Sequence, residues 1–208
     1  MNSVLVFFML GAYLIGSIPF AVIISKYKFG KDIRNLGSGN AGATNMARNF
    51  GRKAGISTLI LDLLKGAIPP LVYISYLNLQ TTTIPNSQFH AFLIAYATGL
   101  GHIYPVFANF KGGKGVATLL GSMLILQTPL ALIGLLAFVG ILLFSNYVSL
   151  SSILSALLFA FLFNWKESFH ISAFVAWGFP ALFIFTHRSN IQRLIKGNEN
   201  KTLLLKKK

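Results

Sequence analysis

Long apolar segments are the feature of this sequence that most constrains its fold. A helix needs about 20 mostly apolar residues to cross a bilayer. Seven segments meet or approach this length: 3–25, 55–77, 89–107, 115–127, 129–146, 148–165 and 168–186. Only 11% of the 208 residues are charged, whereas 54% are apolar. The pattern predicts an all-α integral membrane protein with seven transmembrane helices, in which residues 1–208 form a single polytopic domain. The fourth segment is short and lies close to Pro129, so six spans stay an alternative.

The distribution of basic residues predicts the orientation in the membrane. Of the 18 Lys and Arg residues, seven lie in the loop 26–54, two are Lys111 and Lys114, and seven lie in the tail 188–208. Seven spans place these three regions on one side, and basic loops remain in the cytoplasm. We therefore expect the N-terminus outside, the C-terminus in the cytoplasm and an active site at the cytoplasmic rim. With six spans, Lys111 and Lys114 would lie on the opposite side of the membrane from the tail 188–208.

Composition excludes several kinds of chemistry. The sequence has no cysteine, which removes disulfides, thiolate metal sites and cysteine nucleophiles. It has only four carboxylates and no histidine pair at ligand spacing, so we predict no metal site and no cofactor. The net charge of +14 fits cytoplasmic loops attracted to anionic membrane lipids. Nucleic acid is not an expected partner, because no basic soluble domain is present to bind it.

The first cytoplasmic loop carries an unusual polar motif, RNLGSGNAGATNMARNFGRK. Its glycines let the backbone approach a ligand closely, and its hydroxyl and amide side chains offer hydrogen bonds. Arginines at positions 34, 48 and 52 are suited to phosphate. The motif predicts an anion site, with a flexible solvated loop as the alternative. The candidate ligands here are Gly37, Ser38, Gly39, Asn40, Gly42, Thr44, Asn45 and Arg48.

A second motif, KGGKGVAT, stands at 111–118 between two apolar segments. Glycine-rich backbone exposes N–H groups that can form an anion-binding nest, and a helix beginning near Val116 would direct its positive end there. The spacing does not match the nucleotide P-loop, because glycine follows Lys114. A basic membrane turn is the alternative. The candidates are Lys111, Gly112, Gly113, Lys114 and Gly115, with His102 just upstream as either a structural group or a catalyst.

A third motif, HRSNIQR, follows the last apolar segment. His187, Asn190 and Arg193 have the spacing that puts them on one face if the helix continues into the cytoplasm. An ordinary basic helix end is the alternative.

Asp62 and Lys65 lie inside the second span, three residues apart, so they can pair as either a functional or a structural ion pair. Pro69 and Pro70 are expected to kink or end that helix.

These features favour phosphate binding over acid–base catalysis. Neither an H-x-x-x-x-D acyltransferase pattern nor a G-x-S-x-G nucleophile motif occurs. A reaction whose substrates carry phosphates and whose leaving group departs easily needs mainly positioning and electrostatic stabilisation. An anion transporter is the main alternative class, but transporters place their site near mid-membrane between repeats, and no repeat is visible. A lipid-binding scaffold would not explain three polar motifs.

Together, GSGNAGATNMAR, GHIYPVFANFKGGKGVAT and HRSNIQR closely resemble the bacterial glycerol-3-phosphate acyltransferase family called PlsY. The resemblance covers almost the whole chain. It implies seven spans in the bacterial inner membrane and acyl transfer from acyl phosphate to glycerol 3-phosphate, without metal or a dedicated protein base. The products are lysophosphatidic acid and inorganic phosphate, in the first acylation of phospholipid synthesis. An enzyme that produces acyl phosphate is the implied upstream partner.

The resemblance also implies roles for individual residues. Catalytic positions are matched by Ser38, Arg48, Lys114, His187 and Asn190. Substrate or phosphate binding is implied for Gly37, Gly39, Asn40, Gly42, Thr44, Asn45, His102, Lys111, Gly112, Gly113, Gly115 and Arg193. One departure is Asn146, which stands in a region where the family has a basic residue. A phosphate contact there is therefore in doubt.

Overall fold

The protein is described by a computed structural model that covers residues 3–81, 83–167 and 175–202. All regular structure in this part of the chain is helical, as the sequence predicts. The chain divides into two compact units, Met1–Leu126 and Gln127–Lys208. The helices of the first unit are α1 (Ser3–Gly16), α2 (Phe20–Phe29), α3 (Ala43–Phe50), α4 (Arg52–Asn78), α5 (Ser87–Ile103) and α6 (Val116–Leu126). Those of the second are α7 (Thr128–Ser145), α8 (Val148–Glu167), α9 (Gly178–Thr186) and α10 (Arg188–Ile195).

Within the described residues, five helical segments are long and apolar enough to cross a membrane. They are Ser3–Phe29, Arg52–Asn78, Ser87–Ala108, Thr128–Ser145 and Val148–Lys166. The fourth predicted span corresponds to α6, which has 11 residues. The seventh, 168–186, falls partly outside the described residues, which resume at position 175 and include α9. Several membrane crossings are thus present, while the count of seven and the side of each terminus stay predictions.

The first predicted span, 3–25, lies within the candidate span Ser3–Phe29, which consists of two helices. Helix α1 ends at Gly16 and α2 begins at Phe20. Pro19 lies in the break. Proline interrupts a helix because it has no backbone N–H and its ring clashes with the preceding helical turn. The carbonyl of Ile18 is left outside the helical ladder and accepts a hydrogen bond of 2.7 Å from Nζ of Lys65. The N–H of Phe20 also donates to this carbonyl at 3.1 Å, so a buried lysine on α4 adds a second donor at the break.

Helix α4 continues through Pro69 and Pro70, so the expectation that its regular part could end there is wrong. Since Pro70 lacks an N–H, the carbonyl of Gly66 has no helical donor. The hydroxyl of Ser122 on α6 donates to that carbonyl at 2.7 Å. The neighbouring helix thus replaces the missing hydrogen bond, which is how membrane helices tolerate proline.

Glycines set the close packing of the first unit. On α4 and α6, a Cβ added at Gly66 or Gly121 would overlap the backbone of the other helix. On α1 and α5, the same holds for Gly16 and Gly101. Small residues let helix backbones approach where larger side chains would separate them. These contacts determine how α1, α4, α5 and α6 pack, and hence where the polar loops at their ends lie.

Candidate active site

Asp32 and Arg34 build the start of the first polar loop. The Asp32 carboxylate accepts the backbone N–H of Arg34 at 3.0 Å and its Nη2 at 2.7 Å, which closes the short 3-10 turn Ile33–Asn35. The hydrogen bond from the Arg34 side chain, aided by Lys26 and opposed by partial burial, holds the pKa of Asp32 well below 3.8. Nη1 of Arg34 also donates to the carbonyl of Ala108 at 2.8 Å. Arg34 therefore ties the first loop to the segment that follows α5.

The side chain of Asn45 organises the remainder of this loop. It lies on α3 and is 2% exposed. Its Nδ2 donates to the carbonyls of Leu36 and Asn40, both at 3.0 Å, and contacts that of Ile33 at 3.3 Å. Its Oδ1 accepts the N–H of Ser38 at 3.2 Å and the side chain of Asn49 at 3.0 Å. These partners use the full hydrogen-bonding capacity of one amide. In this structure Asn45 shapes the loop, and direct ligand contact by its side chain stays a prediction.

The turn Gly37–Gly39 presents Ser38 at the surface. Gly37 has φ of +56°, a backbone conformation that residues other than glycine rarely adopt. A Cβ there would also overlap the Asn45 amide. Helix α3 begins directly after Gly42 and exposes Arg48. The remaining candidates of this motif, Asn40 and Thr44, are half-buried at the end of the loop and the start of α3.

The second motif forms a loop seated on the end of α5. We call Lys111–Gly115 the glycine loop. The N–H of Gly112 donates to the carbonyl of Ile103 at 3.2 Å, and that of Gly113 donates to the carbonyl of His102 at 3.1 Å. A Cβ on either glycine would overlap His102. Only glycine therefore lets the loop lie this close to the helix end. Helix α6 starts at Val116, so its N-terminal amides follow the loop directly.

The first two motifs meet in the first unit. The N–H of Ala41 donates to the carbonyl of Gly112 at 3.4 Å. Ala41, Gly112 and Gly113 line one small cavity together with His102 and the pair Asp62 and Lys65. The sequence motifs 34–53 and 111–118 are thus neighbours in space, as an anion site built from both requires. The ligand contacts of their individual residues stay predictions.

A buried charged cluster lies below the glycine loop. Nζ of Lys65 is 3.1 Å from Oδ1 of Asp62, and each side chain is 3% exposed. The predicted ion pair within the span is therefore confirmed. Nδ1 of His102 is 3.5 Å from the same carboxylate oxygen. The Lys65 ammonium also lies 5.6 Å from the ring centroid of Phe20. Asp62, Lys65 and His102 bring α4 and α5 together beneath Gly113.

The third motif belongs to the second unit and gathers around Glu199. The Glu199 carboxylate accepts hydrogen bonds from Nδ2 of Asn190, from Nε of Arg193 at 2.8 Å and from the hydroxyl of Ser149 at 3.0 Å. Asn190 and Arg193 thus share one side of α10, as their spacing predicts. Burial raises the pKa of Glu199, but these three hydrogen bonds outweigh it and hold the pKa below 4.5.

His187 stands at the junction of α9 and α10 and is 2% exposed. Its Nδ1 lies 2.8 Å from the carbonyl of Phe183, one helical turn earlier. A carbonyl oxygen only accepts, so Nδ1 carries the hydrogen in this contact. The ring is therefore held by its own helix, which fixes the direction of Nε2.

Sequence reasoning missed Glu199. The available signal was its isolation, because it is the one carboxylate among the seven basic residues of the tail 188–208. A lone acid in a basic segment is a candidate for a structural hydrogen-bond acceptor. In the part of the chain that the structure describes, no three His, Cys, Asp or Glu side chains come together as metal ligands would. Independence from metals and cofactors stays a prediction.

Comparison with known proteins gives a consistent result. The sequence profile of the family described as glycerol-3-phosphate acyltransferase matches residues 6–197. A glycerol-3-phosphate acyltransferase of Aquifex aeolicus is 43% identical over 196 residues, covering 94% of this chain and 97% of that protein. One from Geotalea daltonii is 45% identical over 192 residues, covering 92% of this chain and 94% of that protein.

Two solved structures have the same fold. The crystal structure of PlsY, an integral membrane glycerol 3-phosphate acyltransferase, in its glycerol 3-phosphate form is 41% identical with a TM-score of 0.86, covering 96% of each chain. The lysophosphatidic acid form has a TM-score of 0.83 and is 39% identical, covering 96% of this chain and 95% of that chain. These matches extend over nearly the whole chain. It is a multi-pass membrane protein and belongs to the glycerol-3-phosphate acyltransferase family.

Proposed function

We propose that the protein transfers a fatty acyl group from acyl phosphate to glycerol 3-phosphate. A hydroxyl oxygen of glycerol 3-phosphate forms a bond to the acyl carbon, and the bond from that carbon to the phosphate oxygen breaks. The hydroxyl proton passes to a phosphate oxygen. The products are lysophosphatidic acid and inorganic phosphate. This would be the first acylation of bacterial phospholipid synthesis, supplied by an enzyme that makes acyl phosphate.

The observation that carries this proposal is the similarity to the PlsY structure in its glycerol 3-phosphate form. It supports glycerol 3-phosphate as the acceptor, and the structure named for lysophosphatidic acid supports the product. The donor is inferred from the sequence resemblance. Acyl phosphate carries its own leaving group, which fits a chain with four carboxylates and no recognised nucleophile motif.

The first unit offers a coherent phosphate-binding surface for this reaction. The glycine loop supplies Lys114, and α6 begins at the end of the loop with the N–H groups of its first turn. The N–H groups of Gly112 and Gly113 are used by the end of α5. Ser38 lies on the exposed turn of the first motif and Arg48 on α3. In the proposed mechanism the basic groups and amides hold the phosphates, and Ser38 orients a reacting group. Most of the rate then comes from positioning and charge stabilisation.

His187 and Asn190 enter the proposal from the sequence resemblance alone. Nδ1 of His187 is used by its own helix and Asn190 is held by Glu199. Both side chains are therefore pre-oriented, as groups that align substrates must be. We expect His187→Ala and Asn190→Ala to lower kcat.

The membrane explains where such a reaction would take place. The acyl chain of the donor and of the product belongs in the bilayer, and the phosphates belong in water. A site at the cytoplasmic rim serves both ends of the substrate. We propose this location, in the bacterial cytoplasmic membrane, from the basic loops that carry the first two motifs.

A donor comparison tests the proposal. The full chain, purified in lipid nanodiscs, is given labelled glycerol 3-phosphate with acyl phosphate, acyl-CoA or acyl carrier protein, each with and without a metal chelator. We expect lysophosphatidic acid and phosphate release with acyl phosphate only, unaffected by chelation. Product from acyl-CoA at an equal rate would overturn the donor assignment. No product with any donor would overturn the acyltransferase proposal.

A matched pair of variants tests the glycine loop in the same assay. Lys114→Arg keeps the charge but changes its geometry, and we expect a higher KM for glycerol 3-phosphate or a lower kcat. Lys31→Arg makes the same exchange at an exposed position of the first loop and should behave as the wild type. Equal kinetics for the two variants would remove Lys114 from the site.

A further inference from the structure

The membrane-spanning helix α4 buries two opposite charges to which no role has been assigned. Asp62 and Lys65 lie on α4, and their side chains are each 3% exposed. Burying ions is costly even when they pair, so an intramembrane pair requires an explanation. Lys65 has one in the backbone of the first span, where its Nζ donates to the carbonyl of Ile18. Asp62 pairs with Lys65, and its carboxylate also faces His102.

The contact with His102 links Asp62 to the glycine loop. Oδ1 of Asp62 faces Nδ1 of His102 at 3.5 Å, longer than a strong hydrogen bond, so the carboxylate acts on the ring mainly by charge and orientation. The opposite edge of the ring, at Nε2, lies directly against Gly113, where even a Cβ would overlap it. The carbonyl of His102 also accepts the N–H of Gly113 at 3.1 Å. Both the ring and the backbone of this residue therefore support the loop.

We propose that Asp62, anchored by Lys65, is a positioning residue that orients the His102 ring beneath Gly113 and so fixes the glycine loop in its phosphate-binding form. This inference rests on the proposed function, because it assigns the loop to a substrate phosphate. The partner of Nδ1 determines which edge of an imidazole is presented to its surroundings. Without the carboxylate, Nδ1 loses the group that faces it, and Gly113 loses a ring edge held in one orientation beneath it.

The ion pair must be removed as a whole to test this role. A single Asp62 variant would leave Lys65 as an unpaired buried charge and could unfold the protein for that reason alone. Two double variants avoid the problem. Asp62→Asn with Lys65→Met is neutral and keeps an oxygen that can accept from His102. Asp62→Leu with Lys65→Met is also neutral but has no acceptor. The matched variants differ at position 62 in polarity and in the ability to orient the ring.

Two readouts separate positioning from folding. The first is KM for glycerol 3-phosphate beside kcat, with the melting temperature as a control for folding. The second is the rise in melting temperature on adding inorganic phosphate or glycerol 3-phosphate, which reports binding without catalysis. We expect the leucine variant to raise KM by about tenfold or more and to lose most of the ligand-induced shift. The asparagine variant should stay close to the wild type in both.

A further comparison tests whether the effect passes through the histidine. In a His102→Gln background the two double variants should have the same KM, because residues that act through one another are not additive. If the leucine variant does not fold, Asp62→Ala with Lys65→Met, which is also neutral and has no acceptor, takes its place in both backgrounds. A leucine variant that folds and keeps the wild-type KM and ligand shift would overturn the proposal. So would an equal change in KM in both double variants, which indicates an ion pair with a structural role only.

The proposed function and this inference can fail separately. If the wild type binds phosphate but forms no product, the acyltransferase proposal fails, and the ligand-induced shift still decides the role of Asp62. If the wild type forms product and the two double variants do not differ, only the positioning role fails. If the wild type neither binds phosphate nor forms product, both are overturned.

Discussion

Replacing Asn45 by aspartate tests whether one buried amide organises the first polar loop. The exchange preserves shape and keeps the oxygen that accepts from Ser38 and Asn49. It removes both N–H donors, so the carbonyls of Leu36 and Asn40 lose partners at 3.0 Å. Because the site is 2% exposed, water does not replace them.

The magnitude follows from these contacts. Each buried hydrogen bond that is lost costs about 1–1.5 kcal/mol. The new oxygen would also face carbonyl oxygens in place of the donors, which adds repulsion. We therefore expect the free energy that keeps the loop closed to fall by about 3 kcal/mol, equivalent to more than a hundredfold in an equilibrium constant.

Hydrogen–deuterium exchange measures this opening directly. The amides of residues 36–41 should exchange about a hundredfold faster in Asn45→Asp than in the wild type, while those of α4 and α5 stay protected. KM for glycerol 3-phosphate should rise in the same variant. Asn35→Asp is the matched control, since it makes the same exchange at an exposed position of the same loop. Unchanged exchange at 36–41 in Asn45→Asp would refute the reasoning.

Three further changes have distinct expected outcomes. Gly113→Ala places a Cβ against the histidine ring below it, so KM for glycerol 3-phosphate should rise by about tenfold, whereas Gly140→Ala has open space and should be silent in the same assay. The pKa of Glu199 is lowered in the folded protein, so its ionised carboxylate stabilises the fold above pH 4.5, and this stability is lost as the pH falls towards the folded-state pKa. In Glu199→Gln the melting temperature should therefore depend less on pH in this acid range. Arg34→Lys keeps a charge but loses the fork that reaches Ala108, and should raise KM with little change in melting temperature.

Each of these expectations can be contradicted by its own measurement. A Gly113→Ala variant with the KM of Gly140→Ala would mean that the loop has room above the ring. Equal acid dependence in Glu199→Gln and the wild type would mean that the carboxylate is not stabilised by its partners in solution. A wild-type KM in Arg34→Lys would show that the tie between the two loops does not affect substrate binding.

The membrane character could be predicted from the sequence because it is a local property, and the proposal of phosphate binding rests on local patterns in the same way. Transfer of a segment into lipid depends on the composition of consecutive residues, so hydropathy indicated the long apolar helices found at Arg52–Asn78 and Thr128–Ser145. Glycine, lysine and arginine within a few residues indicate anion binding wherever they stand. The pairing of Asp62 and Lys65 was also local, since three residues form less than one helical turn.

Local reasoning failed where a tertiary partner changes the outcome. The first span is broken at Pro19, and the carbonyl of Ile18 beside the break accepts a hydrogen bond from Lys65. Helix α4 does not end at its two prolines, and Ser122 donates to the carbonyl that Pro70 leaves without a helical donor. In both cases the donor comes from another helix, so the sequence around the proline cannot reveal it.

The sequence by itself determined that this chain enters a membrane, which loops carry the glycine-rich and basic motifs, and to which family it belongs. Only the tertiary structure decided that Asn45 supports its loop from within, that Ala41 meets Gly112, and that Asp62 lies behind His102. The physical reason is that these contacts depend on how closely the helices pack. That closeness is set by glycines facing another backbone, and no pattern of neighbouring residues shows which backbone they face.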